Sequence, residues 1–332
     1  MNAQPPVRSA HLAVRVDGAE APDDTAHVRL FYPAAPTGSD EERLTGELPP
    51  DRRGAPLPVV VVVPAVNVGP DTYRWLAVEL VGRGYAVATY SHVGLLMPGH
   101  RGLSPGIDLG ALGPGQLGTR PSATAVGPVL EALAGLTAGG PMEGMLDLSR
   151  VVLGGHSAGG TLALANADPG WFPGVRAVFS YASHTVPIAG LGHPPGAVLP
   201  VGPVPALLLA GDADGVISAS SDRYGAEVGD PQHSPVAATF DSGVRDGVPA
   251  YEVVLAGANH LLVCDPEDPT SARGFLEAPP AVDPAASRRV LVEVLGAFLG
   301  RHVAGDERMA PMATAAGSEL VASVRAKGPG TA

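Results

Sequence analysis

The ten residues from 151 to 160, which read VVLGGHSAGG, constrain the fold more than any other stretch of the chain. Residues 151–153 are apolar and two of them are β-branched, which favours a buried strand. Two glycines follow, and from Thr161 onward the residues are good helix formers. The sequence therefore predicts a strand, a sharp turn and a helix, with Ser157 at the apex of the turn.

The spacing Gly155-x-Ser157-x-Gly159 explains why such a turn needs glycine. Neighbouring backbone would come too close to a Cβ atom at these two positions. The turn forces the serine into a strained conformation that exposes its hydroxyl, and the N–H groups of the following helix favour negative charge there. This is the pattern of a nucleophile elbow. With 44 glycines in the chain, the five-residue pattern alone is equally compatible with a glycine-rich turn that has no chemistry.

Composition excludes several classes of protein. Of the 332 residues, 45% are hydrophobic and 16% are charged, as in a globular chain. A net charge of −12 argues against a nucleic-acid or anionic membrane partner. Cys264 is the only cysteine, so no intrachain disulfide is expected. The first residues lack an apolar signal segment, and the longest apolar run, 59–63, is far too short to span a bilayer. We expect a cytoplasmic protein.

Hydrophobic patterning predicts a hairpin and then strands that alternate with helices. The predicted strands are 11–16, 26–32, 59–63, 85–91, 151–153, 175–181, 204–210 and 251–255. The predicted helices are one from Asp71 or Thr72 to Gly82, then 122–136, 161–167, 218–228 and 285–303. This alternation predicts an α/β fold with a mostly parallel central sheet and helices on both faces. We expect one domain over residues 1–303.

Three segments are predicted to be irregular. Residues 92–121 and 182–203 are rich in glycine and proline without clear periodicity. Loops of this length in a compact domain are usually functional or mobile, and these two are expected to shape a pocket. Residues 304–332 are small and polar, which predicts a disordered tail.

Two acidic residues follow the predicted strand 204–210. Asp214 stands in Gly211-Asp-Ala-Asp214, a spacing that leaves room for the chain to turn and aim the carboxylate over the sheet edge. Asp212 is the less favoured candidate and is expected to cap the loop. For both residues the alternative is ordinary Asx-turn chemistry.

His260 follows the last predicted strand, and its position sets it apart from the nine other histidines. Ser157, Asp214 and His260 each come just after a strand, in the chain order Ser, Asp, His. In this constellation a histidine takes the serine proton and returns it to the leaving group, while the carboxylate orients the imidazole. The oxyanion would bind the backbone N–H of Ala158 and of a residue after strand 59–63, for which Val66 is the best candidate.

These motifs resemble the α/β-hydrolases, in the branch of chlorophyllases, dienelactone-hydrolase-like proteins and cutinase-like polyester hydrolases. The resemblance covers residues 57–303 and depends on GHSAGG at 155–160, LLLAGDADGVIS at 207–218, GANH at 257–260 and VNVGPDTYRWLAVELVGRGYAV at 66–87. It implies the α/β-hydrolase fold and a serine-esterase mechanism without a cofactor or metal. The chain departs from the family in having Pro64-Ala65 where His-Gly or Pro-Gly is usual.

Candidate pocket residues follow from the same resemblance. His184 corresponds to a position where polyester hydrolases carry a pocket aromatic, and the alternative is a plain loop histidine. His92 and Val216 are further candidates for the pocket lining. His156 precedes the serine and is expected to point away from it, in a structural role.

Two functions of different classes are compatible with this sequence. The first is a serine hydrolase of a carboxylic ester, lactone or thioester of an apolar small molecule, acting through an acyl-enzyme on Ser157. The second is a non-hydrolytic cyclase, epimerase or lyase on the same scaffold, with His260 as general base, because fold does not fix function. A binding protein without catalysis is the least favoured reading. The sequence identifies neither the substrate nor the oligomeric state.

Overall fold

A single mixed sheet forms the centre of the protein. The computed structural model describes residues 5–16, 18–97, 99–228, 230 and 233–331. The strands of these residues are β1 (Val7–Arg15), β2 (Thr25–Pro33), β3 (Leu57–Val63), β4 (Ala86–Met97), β5 (His100–Leu103), β6 (Leu146–His156), β7 (Val175–Tyr181), β8 (Ala206–Gly211), β9 (Ala250–Leu255) and β10 (Val321–Lys327). The α-helices are α1 (Asp40–Thr45), α2 (Arg74–Val81), α3 (Val126–Ala138), α4 (Ala158–Asn166), α5 (Gly215–Ser218), α6 (Pro235–Ala238), α7 (Pro284–His302) and α8 (Pro311–Ala316).

The strand order is β1-β2-β4-β3-β6-β7-β8-β9-β10, and β5 pairs with β4 outside this order. From β4 to β9 all neighbouring strands are parallel. The pairs β1–β2, β2–β4 and β9–β10 are antiparallel. The predicted α/β class with a mostly parallel sheet is confirmed, as is the predicted hairpin that β1 and β2 form.

Helices cover both faces of the sheet, and β3 shows why the core needs them. Alternate residues of β3 belong to two separate hydrophobic clusters, with Val59 and Val61 in one and Val60 in the other. The first cluster contains residues of α3 and α4, and the second contains residues of α2 and α7. A strand buried on both faces has no polar side, which explains the continuous apolar run that marks it in the sequence.

The parallel strands place three loops at one edge of the sheet. β6, β8 and β9 all run in the same direction, so their carboxyl ends share that edge. Ser157 follows β6 directly, Asp214 comes three residues after β8, and His260 comes five residues after β9. Ligands of open α/β sheets bind at such an edge.

The prediction that residues 92–121 are irregular is wrong for the first part of this segment. β4 continues to Met97 and the chain returns in β5, so that Leu95 pairs with Arg101. Gly99 has a φ of 81°, a conformation that glycine adopts without strain and that lets the chain reverse there. The strand was missed because its residues 92–97 carry neither alternation nor a fully apolar run. Residues 182–203 are irregular apart from one 3₁₀ turn, Ala189–Leu191.

The prediction that residues 304–332 form a disordered tail is also wrong. Residues 311–316 form α8, and β10 adds an antiparallel strand to the edge of the sheet beside β9. Arg325 of β10 binds the buried Glu252 carboxylate of β9 at 2.6 Å and Asp241 at 2.9 Å. Tertiary pairing with β9 therefore orders a segment whose composition alone favours disorder.

Two predicted helices differ from those in the structure. The helix predicted from Asp71 or Thr72 starts with a 3₁₀ turn that follows Gly69, and the Asp71 side chain pairs with Arg29 at 2.5 Å instead of capping the helix. The helix predicted over 218–228 is replaced by α5 and a 3₁₀ turn, Ser221–Tyr224. No helix within the described residues is long and apolar enough to cross a membrane.

Candidate active site

The turn at Ser157 is as tight as its glycines predict. Ser157 has φ 53° and ψ −127°, which is a strained backbone conformation for a residue other than glycine. A Cβ atom on Gly155 would lie 2.5 Å from the Gly159 carbonyl oxygen, and one on Gly159 would lie 2.3 Å from the Pro64 carbonyl oxygen. Only glycine fits either position, so these residues allow α4 to start directly after the serine.

Asp214 and His260 form a buried pair. Their side chains are 7% and 6% exposed, and His260 Nδ1 lies 2.8 Å from Asp214 Oδ2. The other carboxylate oxygen, Oδ1, accepts the N–H of Ile217 at 2.7 Å, which fixes the orientation of the group. Because a carboxylate accepts only, Nδ1 carries the proton and the Nε2 atom of the neutral ring keeps a free lone pair.

Asp212 has the structural role that the sequence suggested as its alternative. Its Oδ1 accepts the N–H of Gly257 at 2.6 Å and so joins the loop after β8 to the loop after β9. Of the two acidic candidates, Asp214 is therefore the one that contacts the imidazole.

Glu277 holds the same two loops together, although no sequence motif marks it. Its Oε1 accepts the N–H of Val216 at 2.9 Å, and its Oε2 accepts the N–H groups of Gly215 and His260, both at 3.3 Å. Burial raises the pKa of this carboxyl. The contacts are to backbone N–H groups far away in the chain, so no side-chain motif marks them.

A buried chain of hydrogen bonds connects the loop after β3 to the His260 loop. The N–H of Ala65 donates to the Tyr73 hydroxyl at 3.0 Å, and His156 Nε2 lies 2.9 Å from the carbonyl oxygen of His260. Burial lowers the pKa of His156 well below its usual value, so the ring is neutral and Nε2 carries its proton. The Tyr73 hydroxyl therefore donates to His156 Nδ1, at 3.0 Å. His156 is thus buried in the expected structural role.

One cavity of about 230 Å³ brings most of the predicted residues together. Ser157, Ala158 and His260 line it, and so do two of the predicted pocket residues, His184 and Val216. The His184 ring meets the Tyr224 ring edge to face, with 4.2 Å between their centres. Burial lowers the pKa of His184 to about 4, so this ring is neutral at pH 7.

The prediction that His92 lines the same pocket is wrong. His92 lies opposite Ala26 in the β2–β4 pair, and its Nε2 donates to the carbonyl oxygen of Asp23 at 2.7 Å. It lines a second cavity, of about 860 Å³, that shares Ile107 with the first. Pairing with β2 carries the start of the predicted loop toward the β1–β2 hairpin and away from Ser157.

The two predicted oxyanion donors differ in their placement. Ala158 is the first residue of α4, where an N–H has no partner within the helix, and it lines the Ser157 cavity. Val66 is 36% exposed and is not among the residues that line that cavity. The role of Val66 stays a prediction.

The Ser157 hydroxyl is not hydrogen-bonded to His260 in the described part of this structure. It lines the cavity with His260, but the hydrogen bonds within the described residues include none that joins these two side chains. Such bonds are often long in unliganded enzymes and shorten when a substrate binds.

The described residues were also compared with the requirements of a metal site, which needs several His, Cys, Asp or Glu side chains close together. Among the described residues, no three such side chains lie close enough together to hold a metal ion. Comparison of the chain with protein-family models and with curated proteins yields no match. A functional assignment therefore depends on the motifs and geometry of this chain alone.

Proposed function

We propose that this protein is a serine hydrolase with the α/β-hydrolase fold, which cleaves a carboxylic ester, lactone or thioester of a small molecule. The observation that carries the proposal is that His260, whose Nδ1 lies 2.8 Å from Asp214 Oδ2, lines the same cavity as a strained Ser157. The three residues follow three parallel strands in the order Ser, Asp, His, which is the order in α/β-hydrolases.

The mechanism follows from the proton positions. His260 Nε2 accepts the Ser157 proton as Oγ attacks the substrate carbonyl carbon, and Asp214 stabilises the resulting imidazolium through Nδ1–H. His260 then gives the proton to the leaving alkoxide or thiolate, which leaves an acyl-enzyme on Ser157. A water molecule, deprotonated by His260, attacks the acyl group, and release of the acid restores the serine.

The negative charge that develops on the carbonyl oxygen requires fixed donors. The N–H of Ala158 has no hydrogen-bond partner among the described residues and lies at the positive end of α4. The loop after β3 is expected to supply the second donor, for which Val66 remains the candidate. Each such donor typically contributes about 10²–10³ in rate.

The lining of the cavity supports a substrate with an apolar part. Many of its side chains are aliphatic and come from the two irregular segments on either side of Ser157 in the sequence. They are Ile107, Leu112, Leu117, Val186, Ile188 and Leu191. With a volume of about 230 Å³, the cavity suits a short acyl or alkyl group. We expect the rate of hydrolysis to fall once this group outgrows the cavity.

Turnover of 4-nitrophenyl esters of increasing acyl length tests the proposal. Ser157→Ala should remove almost all activity, about 10⁶-fold, as expected for one member of a unit that acts together. Ser183→Ala is the matched control, because Ser183 lines the same cavity but its hydroxyl donates to the Tyr181 carbonyl oxygen at 2.8 Å. Full activity in Ser157→Ala, or equal losses in both variants, would contradict the proposal.

Two observations favour a second candidate function. The Ser157 hydroxyl makes no hydrogen bond to His260 among the described residues, and Ala65 replaces the glycine that is usual in the oxyanion loop. A cyclase, epimerase or lyase would use His260 Nε2 to remove a proton directly from the substrate, without an acyl-enzyme. Such an enzyme would not form a covalent adduct with a fluorophosphonate, whereas a serine hydrolase would.

A further inference from the structure

Two arginines are among the residues that line the Ser157 cavity, whose walls are mainly aliphatic. Arg223 is on the 3₁₀ turn after α5, and Arg273 is in the loop between His260 and α7. Tyr224 stands beside Arg223 and is fixed by the edge-to-face contact with His184. A small cavity with mainly aliphatic walls therefore holds two positive charges near the proposed nucleophile.

Neither arginine has an acidic partner among the described residues. The Arg273 guanidinium makes one hydrogen bond, from Nη1 to the Ser220 hydroxyl at 3.1 Å, and the Arg223 guanidinium makes none within the described residues. A guanidinium carries five N–H donors, so most of this capacity is unused. Arg273 is half-buried, and this burial lowers the pKa of its guanidinium, whereas Arg223 is exposed. Buried charges in proteins are normally paired.

The nearest carboxylates are committed elsewhere. Asp214 binds His260 and the N–H of Ile217, while Glu277 accepts three backbone N–H groups. Both act on Arg273 only through space. His184 is neutral at pH 7 and adds no charge. Among the described residues, no carboxylate therefore forms an ion pair with Arg273 at hydrogen-bond distance.

We infer that the substrate carries a carboxylate as well as its scissile bond, and that Arg273, assisted by Arg223, binds this carboxylate. The inference deepens the proposed function and rests on it. A planar guanidinium matches a carboxylate with two parallel hydrogen bonds, which gives orientation as well as affinity. The aliphatic side chains of the cavity would hold the carbon skeleton between the carboxylate and the reacting carbonyl.

Matched pairs of esters test this inference. One pair differs in the acyl group, 4-nitrophenyl hydrogen adipate against 4-nitrophenyl heptanoate. The other differs in the alcohol, 4-carboxyphenyl butanoate against 4-methylphenyl butanoate. The wild-type protein should prefer the anionic ester in at least one pair by about 10- to 100-fold in kcat/KM, the range expected for hydrogen bonds to charged groups. A phosphonate analogue of the preferred ester separates a carboxylate site from a general anion site.

Arg273→Gln should abolish the preference by raising KM for the anionic ester much more than KM for its neutral counterpart. Arg223→Gln, at a more exposed position, should reduce the preference in part. Arg101→Gln and Arg120→Gln are the controls, because these arginines already pair with Asp23 and Asp108 in the second cavity and should leave the preference intact.

The outcomes separate the inference from the proposed function. Hydrolysis of the neutral esters without any charge preference, or a preference that survives in Arg273→Gln and Arg223→Gln, overturns the inference and leaves the hydrolase standing. A phosphonate bound better than the carboxylate also overturns it. If no ester of either kind is hydrolysed, the proposed function fails and the inference fails with it.

Discussion

The two cavities, which share Ile107 in their linings, differ in whether their arginines form ion pairs. In the larger one, of about 860 Å³, Arg101 pairs with Asp23 and Arg120 pairs with Asp108. In the smaller one, of about 230 Å³, Arg223 and Arg273 have no carboxylate partner among the described residues. Each positive charge of the larger cavity is balanced within the protein, whereas those of the smaller cavity are left for a ligand.

The histidines of the two cavities differ in the same way. His92 of the larger cavity donates to a backbone carbonyl, and burial lowers its pKa. His260 of the smaller cavity is held by a carboxylate, and its Nε2 is the atom that can accept a proton. A large volume is therefore not what marks the cavity that we propose as the active site. The better marks are polar groups that are rigidly held at one end and unpartnered at the other.

The largest effect is expected for Asp214→Asn, which tests whether catalysis takes place in the smaller cavity alone. Asp214→Asn should lower kcat by about 10⁴-fold, because an amide does not hold His260 in the required tautomer. The matched control is Asp108→Asn in the larger cavity, where the side chain binds Arg120 at 2.7 Å and the N–H of Gly110 at 2.8 Å. Steady-state kinetics on one ester compares the two, and equal losses would break the distinction between the cavities.

The pH dependence of stability compares His184 with His92. The pKa of His184 is about 4 in the folded state, against 6.5 unperturbed. Between these values the unfolded chain binds more protons, so stability is fully present above pH 6.5 and is lost as pH falls toward 4, by about 3 kcal/mol. His184→Phe should remove this contribution, so urea unfolding at pH 4.5 and 7 should show a smaller loss of stability than in the wild type. His156 and His302, whose pKa values burial also lowers, keep their contributions.

His92→Phe should also weaken the acid sensitivity, since burial lowers the pKa of His92 too. Of these two substitutions, only the one at His184 should also change ester hydrolysis, because His184 lines the proposed substrate cavity and His92 does not. A stability profile in His184→Phe that still falls with acid as steeply as in the wild type would count against the assignment of this titration.

Tyr73→Phe tests the buried chain of hydrogen bonds beneath the smaller cavity. The substitution leaves the Ala65 N–H without this partner and His156 Nδ1 with only the Cys264 thiol, at 3.9 Å, and should lower the free energy of unfolding by about 1–3 kcal/mol. It should also lower kcat, because the oxyanion loop and the His260 loop are then held less firmly.

Tyr90→Phe is the control for this effect. The Tyr90 hydroxyl is equally buried and donates to the Pro105 carbonyl oxygen at 2.6 Å, away from the residues of the smaller cavity. It should cost similar stability with kcat unchanged. If both variants lose stability and neither loses activity, the hydrogen-bond chain has no positioning role.

The smallest expected effect is at an arginine that is already paired. Arg101→Gln removes an ion pair whose arginine side chain is 58% exposed, and such pairs contribute about 0–1 kcal/mol. Thermal unfolding should therefore shift little, and ester hydrolysis should not change. A large loss of activity in this variant would show that the larger cavity takes part in the reaction.

The sequence predicted the centre of this fold well because local pattern and burial agree there. Residues 175–181 form β7 with the predicted bounds, and every residue of the strand except Arg176 is buried. The three candidate catalytic residues could be found for a related reason. Each follows such a strand closely, and parallel strands bring their ends to one edge.

Elements that depend on distant partners were missed. β10 is only partly buried, and it is ordered by its pairing with β9 and by the Arg325–Glu252 contact, which no local pattern encodes. Glu277 acts through backbone N–H groups up to 62 residues away in the chain. His92 was assigned to the wrong cavity because the extension of β4 depends on its pairing with β2 and β5.

The central claim is that Ser157 and His260 act as one unit in the smaller cavity. Its most direct test is the rate at which a fluorophosphonate modifies the protein, followed by intact mass and by peptide mapping. The account predicts one adduct per chain, on Ser157, and a rate that falls by several orders of magnitude in His260→Ala. The account would be contradicted by no adduct on Ser157, or by an adduct that forms equally fast without the imidazole.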